Sequence, residues 1–182
     1  MNIGITGATG LIGSAVGRLA ADDGHQVVAY SRRPDRLSLP WAAEIRSFDA
    51  AQPLPLDASG VDCLIHLAGE PVFGRWTAAK KKRITDSRVE LTQRITRCLA
   101  EASPRPASLL CGSAVGYYGS CGDQVLDESA ASGADFLAEV CRGWEDSARR
   151  AEQLGVRVVM LRTGLVLATA GGAFPLMRLA FD

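Results

Sequence analysis

Ile3-Gly4-Ile5-Thr6-Gly7-Ala8-Thr9-Gly10-Leu11-Ile12-Gly13 is the stretch whose reading decides the fold. A short apolar run meets a glycine-rich segment, which gives way to Leu11, Ala15, Leu19 and Ala20 at helical spacing. The pattern reads as strand, tight loop, helix. Gly7 and Gly10 let the backbone turn sharply and a diphosphate approach it closely, and the N–H groups opening the helix at Leu11 and Ile12 attract an anion. Thr9 adds a hydroxyl donor. A glycine triplet alone is a weak signal, because any strand-to-helix loop can need glycine for positive φ. Its weight here comes from the second apolar run, Gln26-Val27-Val28-Ala29-Tyr30, which completes a βαβ unit around the loop.

Outward from this unit, Ser31-Arg32-Arg33-Pro34-Asp35-Arg36 stands where an NAD site offers a carboxylate to the adenosine ribose. No acid occupies that place. Arg32 and Arg33 can fork onto a 2′-phosphate and Ser31 can donate to it, which favours NADP(H); the other reading is a solvated basic loop. Glu44–Phe48 reads as a third strand, with Asp49 at its end placed for an adenine amino group. Val61–Gly69 reads as a buried central strand whose end, Leu67-Ala68-Gly69, leaves room for a cofactor. His66, alone within that apolar run, is expected to be hydrogen-bonded in the core rather than catalytic.

The spacing then predicts one helix over Thr77–Ala102, capped by Thr77 and ended by Pro104 and Pro106, with Lys80, Lys81, Lys82 and Arg83 solvated. A strand at Ala107–Gly112, a hydroxyl-rich loop at Ser113–Gly119, a helix from Asp135 to Leu154 stopped by Gly155, and a strand from Val156 continuing to Leu167 complete the chain. Alternation of this kind predicts an α/β fold with a doubly wound parallel sheet.

Twenty basic residues balance twenty acidic ones in 182, so no net field favours nucleic acid or an anionic membrane. Apolar runs fall short of the roughly 18 residues of a membrane span, and no basic region followed by a long apolar stretch opens the chain, so a cytoplasmic protein is expected. The five cysteines are scattered without a CxxC pair, which predicts neither a disulfide framework nor a metal site.

Taken together, the glycine spacing, Ser31-Arg32, His66-Leu67-Ala68-Gly69-Glu70-Pro71, Arg75-Trp76, Asp86-Ser87-Arg88, Ser113-Ala114-Val115-Gly116-Tyr117-Tyr118-Gly119, Asp135-Phe136-Leu137-Ala138-Glu139-Val140-Cys141 and Leu161-Arg162-Thr163-Gly164 resemble the atypical short-chain dehydrogenase/reductase (SDR) proteins of the NAD-dependent epimerase/dehydratase-like family, in the SDR39U1-like or YfcH-like group. The resemblance covers essentially the whole chain. It implies a Rossmann domain of the extended or atypical SDR type over residues 1–168. Residues 169–182 would begin a small C-terminal substrate region, most of which lies beyond the end of this chain. It further implies NADP(H) as cofactor, with Ser31 and Arg32 on the 2′-phosphate, Leu67 and Ala68 bordering adenosine and diphosphate, Arg88 reaching the cofactor and Val166 near the nicotinamide. Homodimers pairing through the two long helices are common in the superfamily, and Leu91 or Leu137 would then sit at the interface.

The chemistry departs from the superfamily pattern. Active members use a tyrosine with a lysine four residues later, the lysine making the phenol an effective acid or base. That pair is absent: Pro34, Cys121 and Gly122 stand four beyond Tyr30, Tyr117 and Tyr118, and the only lysines are Lys80, Lys81 and Lys82. Ser113 is expected to orient a substrate oxygen, Tyr117 or Tyr118 to donate a proton, and Glu139 is a weaker candidate. The expected function is an NADP(H)-dependent oxidoreductase or epimerase-like protein acting on an unknown small carbonyl or sugar substrate; the alternative is a catalytically silent NADP(H)-binding sensor or interaction module.

Overall fold

The computed structural model describes residues 1–169, 171–172 and 174–178. Positions 170, 173 and 179–182 of the expected C-terminal segment lie outside the described residues. Six parallel strands form one sheet: β1 (Asn2–Thr6), β2 (Gln26–Ser31), β3 (Glu44–Ser47), β4 (Cys63–His66), β5 (Ser108–Ala114) and β6 (Arg157–Thr163), in the order β3-β2-β1-β4-β5-β6. The order reverses between β1 and β4, and in open α/β sheets ligands bind in the crevice that such a reversal leaves at the carboxyl ends of the strands. A two-residue hairpin, β7 (Leu167–Ala168) with β8 (Gly171–Gly172), follows β6.

Strand alternation sends Ile3, Ile5, Val27, Ala29, Cys63 and Ile65 to one face, beneath helix α1 (Leu11–Asp22). Val28, Tyr30, Leu64, Leu109 and Cys111 point to the other, beneath α3 (Val89–Glu101) and α4 (Phe136–Arg149). The packed stripe of α1 differs from the expected one. Leu19 is 64% exposed, whereas Gly13, Gly17 and Ala20 are buried with Val16 packed beside them. Small residues win that face because the helix rides close to its neighbours: a Cβ at Gly17 would run into the indole ring of Trp41. Gly17→Leu is therefore expected to cost about 1–3 kcal/mol of stability by overpacking, and Trp41→Ala to relieve part of that loss when the two changes are combined, as read by urea unfolding of the single and double variants.

The helix expected over Thr77–Ala102 is two helices, α2 (Ala78–Asp86) and α3, broken at Ser87-Arg88. The break has a tertiary cause. Ser87 Oγ donates to the Ile84 carbonyl and accepts from Glu70 N at 3.0 Å, while Arg88 Nη1 donates to the Glu70 carbonyl at 2.9 Å, so the chain after β4 is stitched into the gap. Thr77 caps α2 as expected, accepting from Lys80 N at 3.2 Å. The helix expected to end at Leu154 leaves α geometry after Arg149 and finishes as a 3₁₀ turn over Arg150–Leu154, closed by Gly155 at φ +76°. Leu91 is 5% exposed within the core under α3, which places it in the monomer's interior rather than at the expected interface.

Candidate functional site

The glycine-rich turn leaves β1 at its carboxyl end. Gly7 has φ +72°, and a Cβ there would press on the backbone carbonyl of Leu67, so both conformation and space demand glycine. Gly10 N donates back to the Gly7 carbonyl at 2.9 Å, and a Cβ at Gly13 would collide with that same carbonyl. Gly13, three residues beyond Gly10, therefore belongs to the turn as much as Gly7 does, and the even spacing of the three glycines carried that signal. Thr9 and Gly10 are exposed, Leu11 and Ile12 half-buried at the start of α1.

Around this turn the fold assembles the ends of neighbouring strands. Leu67 N donates to the Thr6 carbonyl and hydroxyl, each at 3.2 Å, and Ala68 follows at the edge of the crevice. Gly69 faces Arg88: a Cβ there would lie 3.4 Å from the guanidinium carbon. Arg88 is half-buried, stacks over the Trp144 ring at 5.2 Å, and has no carboxylate within 4.0 Å among the described residues. Burial holds its pKa below the ordinary arginine value. An uncompensated guanidinium at the carboxyl edge of a parallel sheet is a ready anion contact.

Ser31 ends β2, one strand away, where its Oγ accepts from Arg33 N at 3.1 Å; Arg32 and Arg33 are exposed. Asp49 turns its carboxylate onto its own loop, accepting from Ala51 N at 2.9 Å. Val166, 38% exposed, lies between β6 and the β7–β8 hairpin, and a Cβ at Gly172 of that hairpin would lie 3.0 Å from Leu11. The C-terminal hairpin thus sits beside the start of α1.

His66 is fully buried, with Nδ1 2.7 Å from Thr6 Oγ1 and Nε2 3.2 Å from Thr92 Oγ1. Burial first, then the charge of Arg88, lowers its pKa to about 3. It is a neutral core group tying β1, β4 and α3 together, as a lone histidine in an apolar strand should be. Burial likewise pushes the Cys111 thiol up to about 12 and raises those of Cys98 and Cys141, which keeps these cysteines protonated.

The serine expected to orient a substrate oxygen is turned elsewhere. Strand β5 runs through Ala114, so Ser113 is a strand residue and not a loop residue; it is 3% exposed and its Oγ donates to Glu145 Oε1 at 2.7 Å. Glu145, on α4 and without exposed surface, also accepts from Arg162 through Nε and Nη2, both at 2.8 Å, and from Arg149 at 3.1 Å. Burial pushes the Glu145 carboxyl up, but the Arg162 and Ser113 hydrogen bonds with the two arginine charges outweigh it and hold the group below its ordinary range.

Arg162 reaches further. Its Nη1 donates to the Tyr118 hydroxyl at 2.9 Å, and its guanidinium carbon lies 3.6 Å over the Tyr117 ring. A cation does stand beside the two tyrosines, supplied by β6, and neither it nor Glu145 was among the expected site residues. Their signal was present: Glu145 interrupts the apolar helix positions Ala138, Cys141 and Ala148, and Arg162 follows the apolar run Val158–Leu161 within its strand. Glu139 is exposed on the same helix. Beside Tyr118, residues Gly119–Cys121 and Ala130–Asp135 line an open cavity of about 540 Å³.

The family model described as the NAD dependent epimerase/dehydratase family matches residues 3–167. Epimerase family protein Mb2239 of Mycobacterium bovis is 39% identical over 99% of this chain and 58% of its own length, and the chloroplastic SDR39U1 homolog of Arabidopsis thaliana is 35% identical over 97% and 52%. The crystal structure of human epimerase family protein SDR39U1 with NADPH superposes with a TM-score of 0.81 at 30% identity, over all of this chain and 59% of that one. A nucleoside-diphosphate sugar epimerase from Corynebacterium glutamicum gives 0.80 at 35%, over 37% of its chain. The chain spans about three fifths or less of the length of these relatives. With its classical strand order, its glycine turn at the sheet's switch point and a family match along nearly its whole length, the chain belongs to the NAD dependent epimerase/dehydratase family, among relatives of the SDR39U1 type.

Proposed function

We propose that the chain binds NADP(H) across the carboxyl edge of its sheet and contributes the cofactor half of an epimerase- or oxidoreductase-like protein acting on a small carbonyl or sugar substrate. The observation that carries this reading is the Gly7–Gly13 turn at the carboxyl end of β1, packed so tightly that a side chain at Gly7 would meet the Leu67 backbone and one at Gly13 the Gly7 carbonyl, the close turn onto a helix start that a diphosphate requires. The human SDR39U1 structure with NADPH supports the choice of cofactor. Gly7, Thr9, Gly10, Leu11 and Ile12 would cradle the diphosphate, with Arg88 supplying a positive charge across from them. Ser31, Arg32 and Arg33 would hold the 2′-phosphate, while Leu67, Ala68, Gly69 and Val166 border the bound molecule. Residues 1–168 form the binding domain and 169–182 begin the substrate region in this reading.

Bound there, the nicotinamide supplies a hydride donor or acceptor. Among the chain's own groups, Tyr118 is the proposed proton donor, the one of the two expected tyrosines whose hydroxyl Arg162 holds. Its oxygen accepts from Arg162, which leaves its own O–H directed to another acceptor. Ser113 and Glu145 act as positioning residues that fix Arg162.

Titration with NADPH and NADH, followed by nicotinamide fluorescence, tests the cofactor assignment. NADPH is expected to bind at least about tenfold tighter than NADH, with Arg32→Ala erasing that preference, a loss of about 1–2 kcal/mol. Equal affinity for the two cofactors, or an Arg32→Ala variant that keeps the preference, would remove the 2′-phosphate assignment. Tight binding without turnover over a broad carbonyl and sugar panel would replace the enzymatic reading with a silent cofactor-binding module.

A further inference from the structure

Residues 70–76 and the starts of α2 and α4 form a wall beside the carboxyl edge of the sheet that the cofactor residues do not use. Trp76 is 40% exposed, yet its ring is held in place. Its Nε1 donates to the Val72 carbonyl at 2.7 Å, and the ring meets Phe136 edge to face, centroids 5.6 Å apart at 64°. Two fixed rings at this angle make a corner in which a third planar ring can lie flat on one and present its edge to the other. Because the corner is already ordered, little side-chain entropy is lost when a ligand enters it.

The charges around the corner are unevenly matched. Lys80 and Arg83 pair with Glu70 at 2.8 and 3.4 Å, and Lys82 pairs with Asp86 at 2.6 Å. Lys81 instead sets its Nζ 4.9 Å from the Phe136 centroid, and among the described residues no carboxylate lies within 4.0 Å of Lys81 or of exposed Arg75. Phe136 follows Asp135, which lines the cavity beside Tyr118, so the corner begins one residue along the chain from that cavity's lining.

Resting on the NADP(H) reading above, the geometry points to Trp76, Phe136, Lys81 and Arg75 as a recognition wall for a small aromatic anion, specifically a carbonyl compound bearing a planar ring and a carboxylate or phosphate. The ring enters the Trp76–Phe136 corner and the anionic group meets Lys81 and Arg75. An uncharged ring would leave the cations unmatched, and a small anion without a ring would leave the corner empty.

Isothermal titration of the NADPH-saturated chain tests this with phenylpyruvate and phenyl phosphate as probes, pyruvate and acetophenone as the ring-less and charge-less controls, and UDP-glucose as a competitor. Phenylpyruvate or phenyl phosphate is expected to bind at least about tenfold tighter than either control. Tighter phenylpyruvate identifies a carboxylate and tighter phenyl phosphate a phosphate, and either supports the wall. Trp76→Ala and Lys81→Glu, both at exposed positions, should each weaken the preferred probe about tenfold while NADPH affinity stays within about twofold. The proposal is overturned if the aromatic anions bind no better than the controls, if both variants bind as the native chain does, or if UDP-glucose alone binds. In each of those cases intact NADPH binding leaves the cofactor reading standing, whereas failure to bind NADPH removes both.

Discussion

Gly7→Val is expected to abolish NADPH binding and to lower stability by about 3 kcal/mol or more. Two separate effects add. At φ +72° a β-branched side chain sits in the left-handed region, which costs about 1–3 kcal/mol, and its Cβ presses on the Leu67 carbonyl, which is backbone and cannot swing away. Gly24→Ala separates the two. Gly24 has φ +80° but nothing within 4 Å of a Cβ, so it should lose only about 1–2 kcal/mol and keep full NADPH affinity. Urea unfolding and NADPH titration of both variants provide the check. A Gly7→Val chain that binds NADPH normally would show that the turn does not hold the diphosphate.

Arg162→Met should be about as damaging for a different reason. It strips a buried carboxylate of its main partner while leaving the charge in place, a loss of about 3–5 kcal/mol at neutral pH. The pH dependence carries the diagnosis. In the native chain the Glu145 carboxyl is held below its ordinary value of 4.5, so the stability it contributes is complete above the unfolded value and is lost as pH falls through the folded one. Without Arg162, burial dominates and the folded pKa rises above 4.5. The variant then gains stability, relative to native, as pH falls from 7 toward 5, because neutral Glu145 is the less costly form to bury. Glu145→Gln combined with Arg162→Met should recover most of the loss at pH 7. Equal losses at pH 7 and pH 5, with no recovery in the double variant, would mean that the pair is not what the substitution breaks.

These two sites differ in how they were written into the chain. The glycine turn is local: conformation, close approach and helix start all fall within Gly7–Gly13, and the βαβ pattern around it can be read from strand and helix periodicity alone. The basic residues after β2 were legible for the same reason, since the position following that strand is set by the unit itself. The break at Ser87-Arg88 was not legible, because helical spacing continues through it. It forms only when Glu70, remote in sequence, hydrogen-bonds into the gap. The packed face of α1 is hidden from the sequence likewise, since Leu19 is the more hydrophobic residue but only Gly17 leaves room for Trp41.

By itself, then, the sequence determined the alternating α/β architecture, the glycine turn and its basic neighbour, and the absence of the tyrosine–lysine pair, all of which depend on residues near one another in the chain. Only the tertiary structure decided the polar centre. Register pairs Ser113 on β5 with Arg162 on β6, and α4 crosses them with Glu145 inward. A hydroxyl that reads as a substrate contact becomes one arm of a buried ion pair, and the cation that the tyrosines lack locally arrives from the next strand. Burial forces that outcome: a carboxylate under a helix must find its partners wherever the packing brings them within reach.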